Sequence, residues 1–405
     1  MAENYSKEEQ KRILRERTLS TDDLRSNLAY VRQERERKKK RNTVIVLSFL
    51  GLAVICTLVY LWARFYQFTT YDVEGELKIG GLASSELYSF QDGCIVIGPD
   101  ALTYVKNDKV VWTGSVKLSD ALFSSEGGYF AVCDRGGYQA YVCDGSGIIS
   151  TVKVSRHIRK IDIASDGVLC VFTEADDAAY ISFFDRFGTK TQAEVKALLS
   201  ATGYPMDIAV SPDGKKLITL YYSTENGIGE SRLVYYDFEH GKSNDNYISA
   251  SFGDYYDSDT LLVDADFISD SESYVIGDHS ITFLTNEKKE IARTVAEIED
   301  PILSVFRAAD RLGIVTVSDG KTQCTLYDRK GKAGKMFEVP DLFDRILADD
   351  RQVFFFTGNK VRIYNMTGES RYEGELSDNI LAVCMAGHRT LIVNTGAELM
   401  RITYK

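Results

Sequence analysis

The sequence predicts an all-β fold, a closed ring of eight four-stranded sheets, carried behind one membrane-spanning helix. Three observations lead there. A stretch of 22 residues from Asn42 to Ala63 holds no charge, and no other apolar run in the chain approaches it. Beyond it, a hydrophobic strand ending in Asp or Asn, often with Gly three or four residues later, recurs at a mean spacing of 43 residues. The chain then ends in the third strand of a unit whose fourth is missing.

Residues 1–42 form the first element, with 13 Lys and Arg against 8 Asp and Glu. Ser20-Thr21-Asp22-Asp23 reads as the cap of a helix carrying Leu24, Leu28 and Val31 on one face, a stripe suited to self-association or to a cytoplasmic partner. The second element is a span over 43–64. At 1.5 Å of rise per residue, 22 helical residues reach roughly 33 Å, enough for a hydrocarbon core of ~30 Å.

The flanks orient that span. Arg35, Arg37, Lys38, Lys39, Lys40 and Arg41 crowd its N-terminal end, whereas only Arg64 follows it before the neutral stretch Phe65 to Thr70. Basic residues stay on the cytoplasmic side, so the N-terminus is expected inside and everything from about residue 65 outside, with Tyr60, Trp62, Phe65 and Tyr66 as the outer aromatic belt. The apolar region is longer than the ~7–15 residues of a cleaved signal, and Leu61-Trp62-Ala63-Arg64 is a poor cleavage site, which favours a retained anchor. Residues 65–70 are then a linker and 71–405 the ring.

The repeat markers run Tyr104 to Asn107, Tyr141 to Gly147, Phe183 to Gly188, Tyr235 to Gly241, Leu284 to Asn286, Leu326 to Gly331 and Ile363 to Gly368. An Asp or Asn there can bond the backbone two residues on while Gly takes a positive φ, so the marker reads as turn chemistry. Each unit divides into four strands; in the sixth these are Ile302–Phe306, Gly313–Val317, Thr322–Tyr327 and Lys335–Val339. Short strands at a period of ~40–50 residues indicate propeller blades. Counting gives eight blades, or seven if one unit is degenerate. The last unit lacks a strand that Tyr71–Ile79 can supply, closing the ring and removing its open edges.

Of the seven cysteines, Cys56 lies in the span and Cys94, Cys133, Cys143, Cys170, Cys324 and Cys384 lie in strand-like runs, which reads as buried packing rather than a disulfide framework. His157, His240, His279 and His388 are at least 39 residues apart, with no zinc, redox or phosphate-binding motif. Asp254, Asp257, Asp259, Asp264 and Asp266 do not match calcium-loop spacing and read as a solvated acidic loop. No catalytic residue, cofactor or metal is expected. Past Arg64 the chain carries 34 basic and 51 acidic residues, an excess of negative charge that argues against nucleic-acid binding.

Ser211-Pro212-Asp213-Gly214-Lys215 is similar to the SPDGK turn of WD40-like and YVTN-type propellers. With the basic arm and single span, the layout resembles an uncharacterised family of membrane-anchored propellers of Gram-positive bacteria. The WD dipeptide and the tryptophan motifs of quinoprotein propellers are absent. The resemblance implies an anchored propeller and carries over no functional residue.

Two segments break the period. Thr191-Gln192-Ala193-Glu194 reads as a capping box opening a short helix, and Asn246 to Asp259 as an aromatic and acidic loop. Tyr247, Phe252, Asp254, Tyr255, Tyr256 and Asp257 are therefore the candidate binding residues, because insertions in repeat folds tend to fall on a binding face. The expected function is a surface scaffold or sensor for a cell-envelope protein or polymer, without catalysis. The alternative is an envelope glycan or peptide hydrolase or lyase. A cluster of Asp and Glu with shifted titration in one axial cleft would favour the enzyme, and exposed tyrosines on one rim would favour binding.

Overall fold

The computed structural model describes residues 7–225, 227–239, 252–256, 260–287 and 290–405. It falls into two compact units, Met1–Tyr66 and Gln67–Lys405. In the first, one helix runs from Lys7 to Phe65. Within it Arg35–Val59 is long and apolar enough to cross a membrane and is exposed along its length.

The described residues of the second unit form eight four-stranded antiparallel sheets, each strand pairing with the next in sequence. Blade one comprises Glu86–Phe90, Gly93–Ile97, Ala101–Lys106 and Lys109–Ser115, and the others follow in order around the ring. Blade eight takes three strands from the C-terminus, Ala382–Met385, Thr390–Asn394 and Leu399–Tyr404, and its outermost from the start of the unit, Tyr71–Leu77. That strand runs antiparallel to the last one from Tyr71 opposite Tyr404 to Leu77 opposite Leu399. The expected closure by residues 71–79 is what the chain does. Phe68, expected in a free linker, is instead buried, with its ring 6.0 Å from that of Tyr404 and its N–H donating to the Arg371 carbonyl at 2.7 Å.

The turn markers behave as their chemistry requires. Asp185 Oδ1 accepts the N–H groups of Phe187 and Thr189, Asp328 Oδ1 those of Lys330 and Lys332, and Asn365 Oδ1 those of Thr367 and Glu369, all at 2.8–2.9 Å. Gly188, Gly331 and Gly368 stand at φ 84°, 82° and 82°, a region that costs a residue with a Cβ. The core is divided accordingly, one apolar cluster lying at each of seven successive blade joints from eight–one around to six–seven. Cys133 and Cys143 oppose Ala140 and Phe130 rather than each other, and burial pushes the Cys133 thiol up to about 12.

The expected short helix is corrected, and so is the expected loop over its described residues 252–256; residues 246–251 and 257–259 lie outside the described residues. Lys190–Leu198 is the outer strand of blade three, paired with Ala178–Phe184, and the helix shrinks to a single turn, Leu199–Thr202. Phe252–Tyr255 is the outer strand of blade four, with Arg232 opposite Tyr255. In each case hydrogen bonding to the sheet edge outweighed the local signal.

The first strands of neighbouring blades contact one another and so line the axis. Four of them are irregular. The register slips once between Ile158 and Lys160 in blade three, Pro205 and Asp207 in blade four, Leu262 and Asp264 in blade five, and Ile302 and Ser304 in blade six. The first strands of blades one, two, seven and eight pair without a slip. Half of the ring is bulged at its axis and half is regular.

Candidate functional site

Each bulge does two things. It expels one residue, and it resets the alternation so that the next residue and the one two beyond point the same way. The expelled residues are Arg159, Met206, Val263 and Leu303; the last three are 42 %, 46 % and 50 % exposed, an apolar rim across three adjacent blades. The residues that follow fall into two sets, the first just after each bulge and the second two positions on. The first is Lys160, Asp207, Asp264 and Ser304; the second is Asp162, Ala209, Asp266 and Phe306.

Glu126, Lys160, Asp162, Asp264, Asp266, Tyr274 and Arg307 line one cavity of about 250 Å³. Asp207 stands behind it, 4 % exposed, ion-paired with Lys160 and accepting the Ala265 N–H at 2.9 Å. Asp162 accepts the Ser124 hydroxyl at 2.7 Å and the Val210 N–H at 2.7 Å, so blade three is stapled to blades two and four. Asp266 accepts the Phe267 N–H at 2.7 Å and Arg307 Nη1 at 3.3 Å. Asp162 and Asp207 therefore hold adjacent blades together through backbone N–H groups that would otherwise be buried without a partner, and Asp266 does so through Arg307.

Their charges are not balanced. Glu126, Asp162, Asp207, Asp264 and Asp266 face two cations, Lys160 and Arg307. Asp264 is pushed up to about 7 by burial and by the negative charge of Asp207 beside it, against the pull of Lys160. Asp162 is pushed up to about 6 by burial and by Asp266, although its bonds to Ser124 and Val210 oppose this. Burial also raises Asp266 and Glu126, with Arg307 opposing in both. Burial works against the Lys160 ammonium, but Asp207, then Asp264 and Asp162, outweigh it and hold the ammonium above its ordinary value. The well can exchange a proton near neutrality and it favours an added positive charge.

Of the sequence-derived candidates, the described Phe252, Asp254 and Tyr256 lie apart from this well. Tyr247 and Asp257 lie outside the described residues. Asp254 pairs with Arg293, and Phe252 is partly buried at the joint of blades four and five. Tyr256 is 8 % exposed, its hydroxyl donating to Thr282 Oγ1 at 2.9 Å and its ring lying 5.0 Å beneath the Arg293 guanidinium, so it is core rather than binding surface. Asp264 and Asp266 belong to the axial well and not to a solvated acidic loop. Elsewhere, His157 is held by the Gly136 carbonyl at 2.6 Å and Tyr138 Oη at 3.1 Å. His388 lies 3.3 Å from Asp349 and 3.0 Å from Asp350, a surface group whose Asp349 already caps the Arg351 and Gln352 N–H groups.

No compact motif marks the well, because its carboxylates come from strands of separate blades, one or two to a strand. A signal was present: Asp162-Ile163-Ala164 and Asp207-Ile208-Ala209 repeat one tripeptide in the first strands of adjacent units, two positions out of register, and Asp264-Ala265-Asp266 follows in the next.

The chain belongs to a family of unknown function, DUF5711, whose model matches residues 64–403. No curated protein matches it in sequence. Among solved structures it is similar to BamB from Moraxella catarrhalis, at 11 % identity and a TM-score of 0.51 over 82 % of this chain and all of that one. The Chaetomium thermophilum Sqt1 bound to the N-terminus of ribosomal protein L10 superposes with a TM-score of 0.54 at 11 % identity, over 82 % of this chain and 99 % of that one. Apo AztD from Citrobacter koseri gives 0.50 at 13 % identity over 73 % and 87 %. These likenesses show the fold: an eight-bladed propeller.

Proposed function

We propose that this chain is a membrane-tethered binding scaffold whose propeller takes a basic side chain of a protein partner into the axial well, with flanking apolar residues of that partner on the rim. One observation carries the reading: four carboxylates line the well and a fifth, Asp207, pairs with its Lys160, against the two cations Lys160 and Arg307, while Met206 and Val263, next in the chain to Asp207 and Asp264, and Leu303 are exposed. A lysine or arginine entering the well would neutralise charge that now raises Asp264 and Asp162, and the rim would contribute apolar burial. Sqt1, which shares the fold, is bound to the N-terminus of another protein, so a segment of chain is a reasonable form for the partner. The tether is the apolar stretch of the N-terminal helix, and the cluster Arg35 to Arg41 supports an inside N-terminus and an outside propeller.

A photo-cross-linking residue placed at Leu303 in intact cells tests the reading. A discrete protein adduct is expected from this position and none from Phe187, which is exposed on an outer turn of blade three. No adduct at the rim, or equal adducts at both positions, overturns it. Protease added to wall-stripped cells is expected to remove the propeller and spare the N-terminal arm; protection of the propeller sinks the outward topology.

A second reading rests on Asp264. A carboxyl raised to about 7 beside a second carboxyl, Asp207, is matched to general acid work at neutral pH, as an envelope hydrolase or lyase would require. Release of fragments from envelope glycan or peptide by the purified chain, abolished by Asp264→Asn, would establish it.

A further inference from the structure

The regular half of the ring contains its closure, and the closure holds two cysteines that no other role accounts for. Cys94 lies on the second strand of blade one and Cys384 on the innermost strand of blade eight. These strands are packed against each other, and the two thiols lie in the one apolar cluster that fills their joint. Both are buried, at 0 % and 2 % exposure, in one cluster with Leu82, Val96, Val105, Ala386, Ile392 and Leu399. The other described ring cysteines are each buried singly in strands of blades two, three and six.

The place matters because of how the ring is tied. Blade one follows the closing strand Tyr71–Leu77 directly along the chain, whereas the C-terminal strands from Ala382 to Tyr404, ion pairs such as Lys405–Asp72 and Arg401–Asp108 apart, are held to the start of the domain by hydrogen bonds and packing. The Tyr71–Leu77 ladder, the Met385 N–H to Ser89 Oγ bond at 3.0 Å and the Asn394 Nδ2 to Leu82 carbonyl bond at 2.8 Å are that attachment. A covalent link at this joint would close a loop of nearly the whole propeller, where a cross-link restricts the unfolded chain most.

We propose that Cys94 and Cys384 form a disulfide that locks the propeller shut. The reaction is thiol–disulfide exchange with a low-molecular-weight or protein disulfide. One cysteine thiolate attacks the oxidant, releasing one thiol; the second attacks the mixed disulfide, releasing another. Two cysteine thiols are oxidised to one bond and the oxidant disulfide is reduced to two thiols. The buried Cys384 thiol is raised well above its ordinary value, first by its bond to Cys94 and then by burial, so the closed ring is inert. Exchange proceeds while the seam is open, during folding or partial unfolding, and the finished bond is shielded from reductants in the same way.

The test uses the full chain in detergent. It is held at its urea midpoint with oxidised and reduced glutathione, returned to low urea, then denatured, alkylated and mapped by mass spectrometry. Expected are one cross-linked peptide pair containing Cys94 and Cys384, five alkylated thiols of the seven, and a urea midpoint higher than in the reduced chain. Cys384→Ala is expected to remove both the cross-link and the midpoint shift, whereas Cys133→Ala keeps them. Alkylation of all seven thiols after that treatment overturns the proposal, and so does a cross-link between any other pair.

Discussion

The axis of this propeller is built in two ways. In blades three to six each innermost strand is bulged, and the bulge turns Lys160, Asp162, Asp207, Asp264 and Asp266 inward while it turns Met206, Val263 and Leu303 out. In blades seven, eight, one and two the same strands are regular. There the joint is made by neutral contacts: Ser89 accepts the Met385 N–H, and the rings of Tyr88 and Phe123 stack at 4.3 Å. Both halves solve the same problem, satisfying a neighbour's backbone N–H across a blade joint. A serine does so without charge. An aspartate does it at the cost of burying an anion, and the bulged half does this repeatedly until carboxylates outnumber cations. The regular half is organised for closure and the bulged half tolerates electrostatic strain, which is the expectation for a site kept for something besides folding.

Removing the closing strand should give the largest effect, and it strikes the regular half. A chain beginning at residue 82 loses the whole Tyr71–Leu77 ladder and the Phe68 ring from Tyr404. Its melting temperature should fall below that of a chain beginning at residue 67 by on the order of 10 °C, given ~2–4 °C per kcal/mol for domains of this size class. Equal melting would mean that the ring is shut by packing alone. Tyr256→Ala comes next: truncating a buried aromatic whose hydroxyl bonds Thr282 should cost ~3–5 kcal/mol in urea unfolding. A cost near zero would return Tyr256 to the surface.

The two halves are compared directly by Asp207→Ala and Ser89→Ala. Each variant orphans one backbone N–H, of Ala265 and of Met385 respectively. The first also strands Lys160, so it should cost ~3 kcal/mol against ~1 kcal/mol for the second. Equal costs would show that the Lys160–Asp207 pair contributes nothing beyond its hydrogen bond to Ala265.

The largest pH dependence should belong to the bulged half, although burial also raises Asp349 in blade seven. Asp162 and Asp264 titrate in the fold at about 6 and about 7, above the ordinary 3.8. The folded chain thus keeps protons that the unfolded chain has released across that window. Stability contributed by these groups is therefore present at low pH and lost as the pH rises from 4 through 7. Thermal midpoints should decline between pH 5 and 8, and the double variant Asp162→Asn, Asp264→Asn should flatten the decline. An unchanged slope would place the titration elsewhere.

These contrasts also mark what was legible in the sequence. Blade number, strand order and closure could be read because each is written redundantly: Asp185, Asp328 and Asn365 repeat the same turn, and the missing fourth strand of blade eight has one claimant, Tyr71–Leu77. The site could not, because a bulge leaves no composition signal. It changes which face Asp264 and Asp266 occupy without changing the residues, and a one-residue slip reverses inside and outside. The capping box at Thr191 and the tyrosines from 252 to 256 misled for the opposite reason. They carry strong local signals that pairing with the edges of blades three and four overrides.

The smallest effect on stability should accompany the largest on binding. Leu303→Asp and Val263→Asp change residues that the bulges have pushed out to half exposure, so neither removes core contacts and each should shift unfolding by no more than ~0.5 kcal/mol. If the rim receives apolar residues beside a basic side chain, a carboxylate there cuts the apolar contact while adding attraction for the base. A lone apolar loss and a lone electrostatic gain then act in opposite directions, and ionic strength separates them, because only the second is screened. The partner's affinity for Leu303→Asp should therefore be lower than for the natural chain at high salt, and the gap should narrow at low salt. An identical gap at both salts would detach the rim from the charged well, and the two would have to be assigned to different partners.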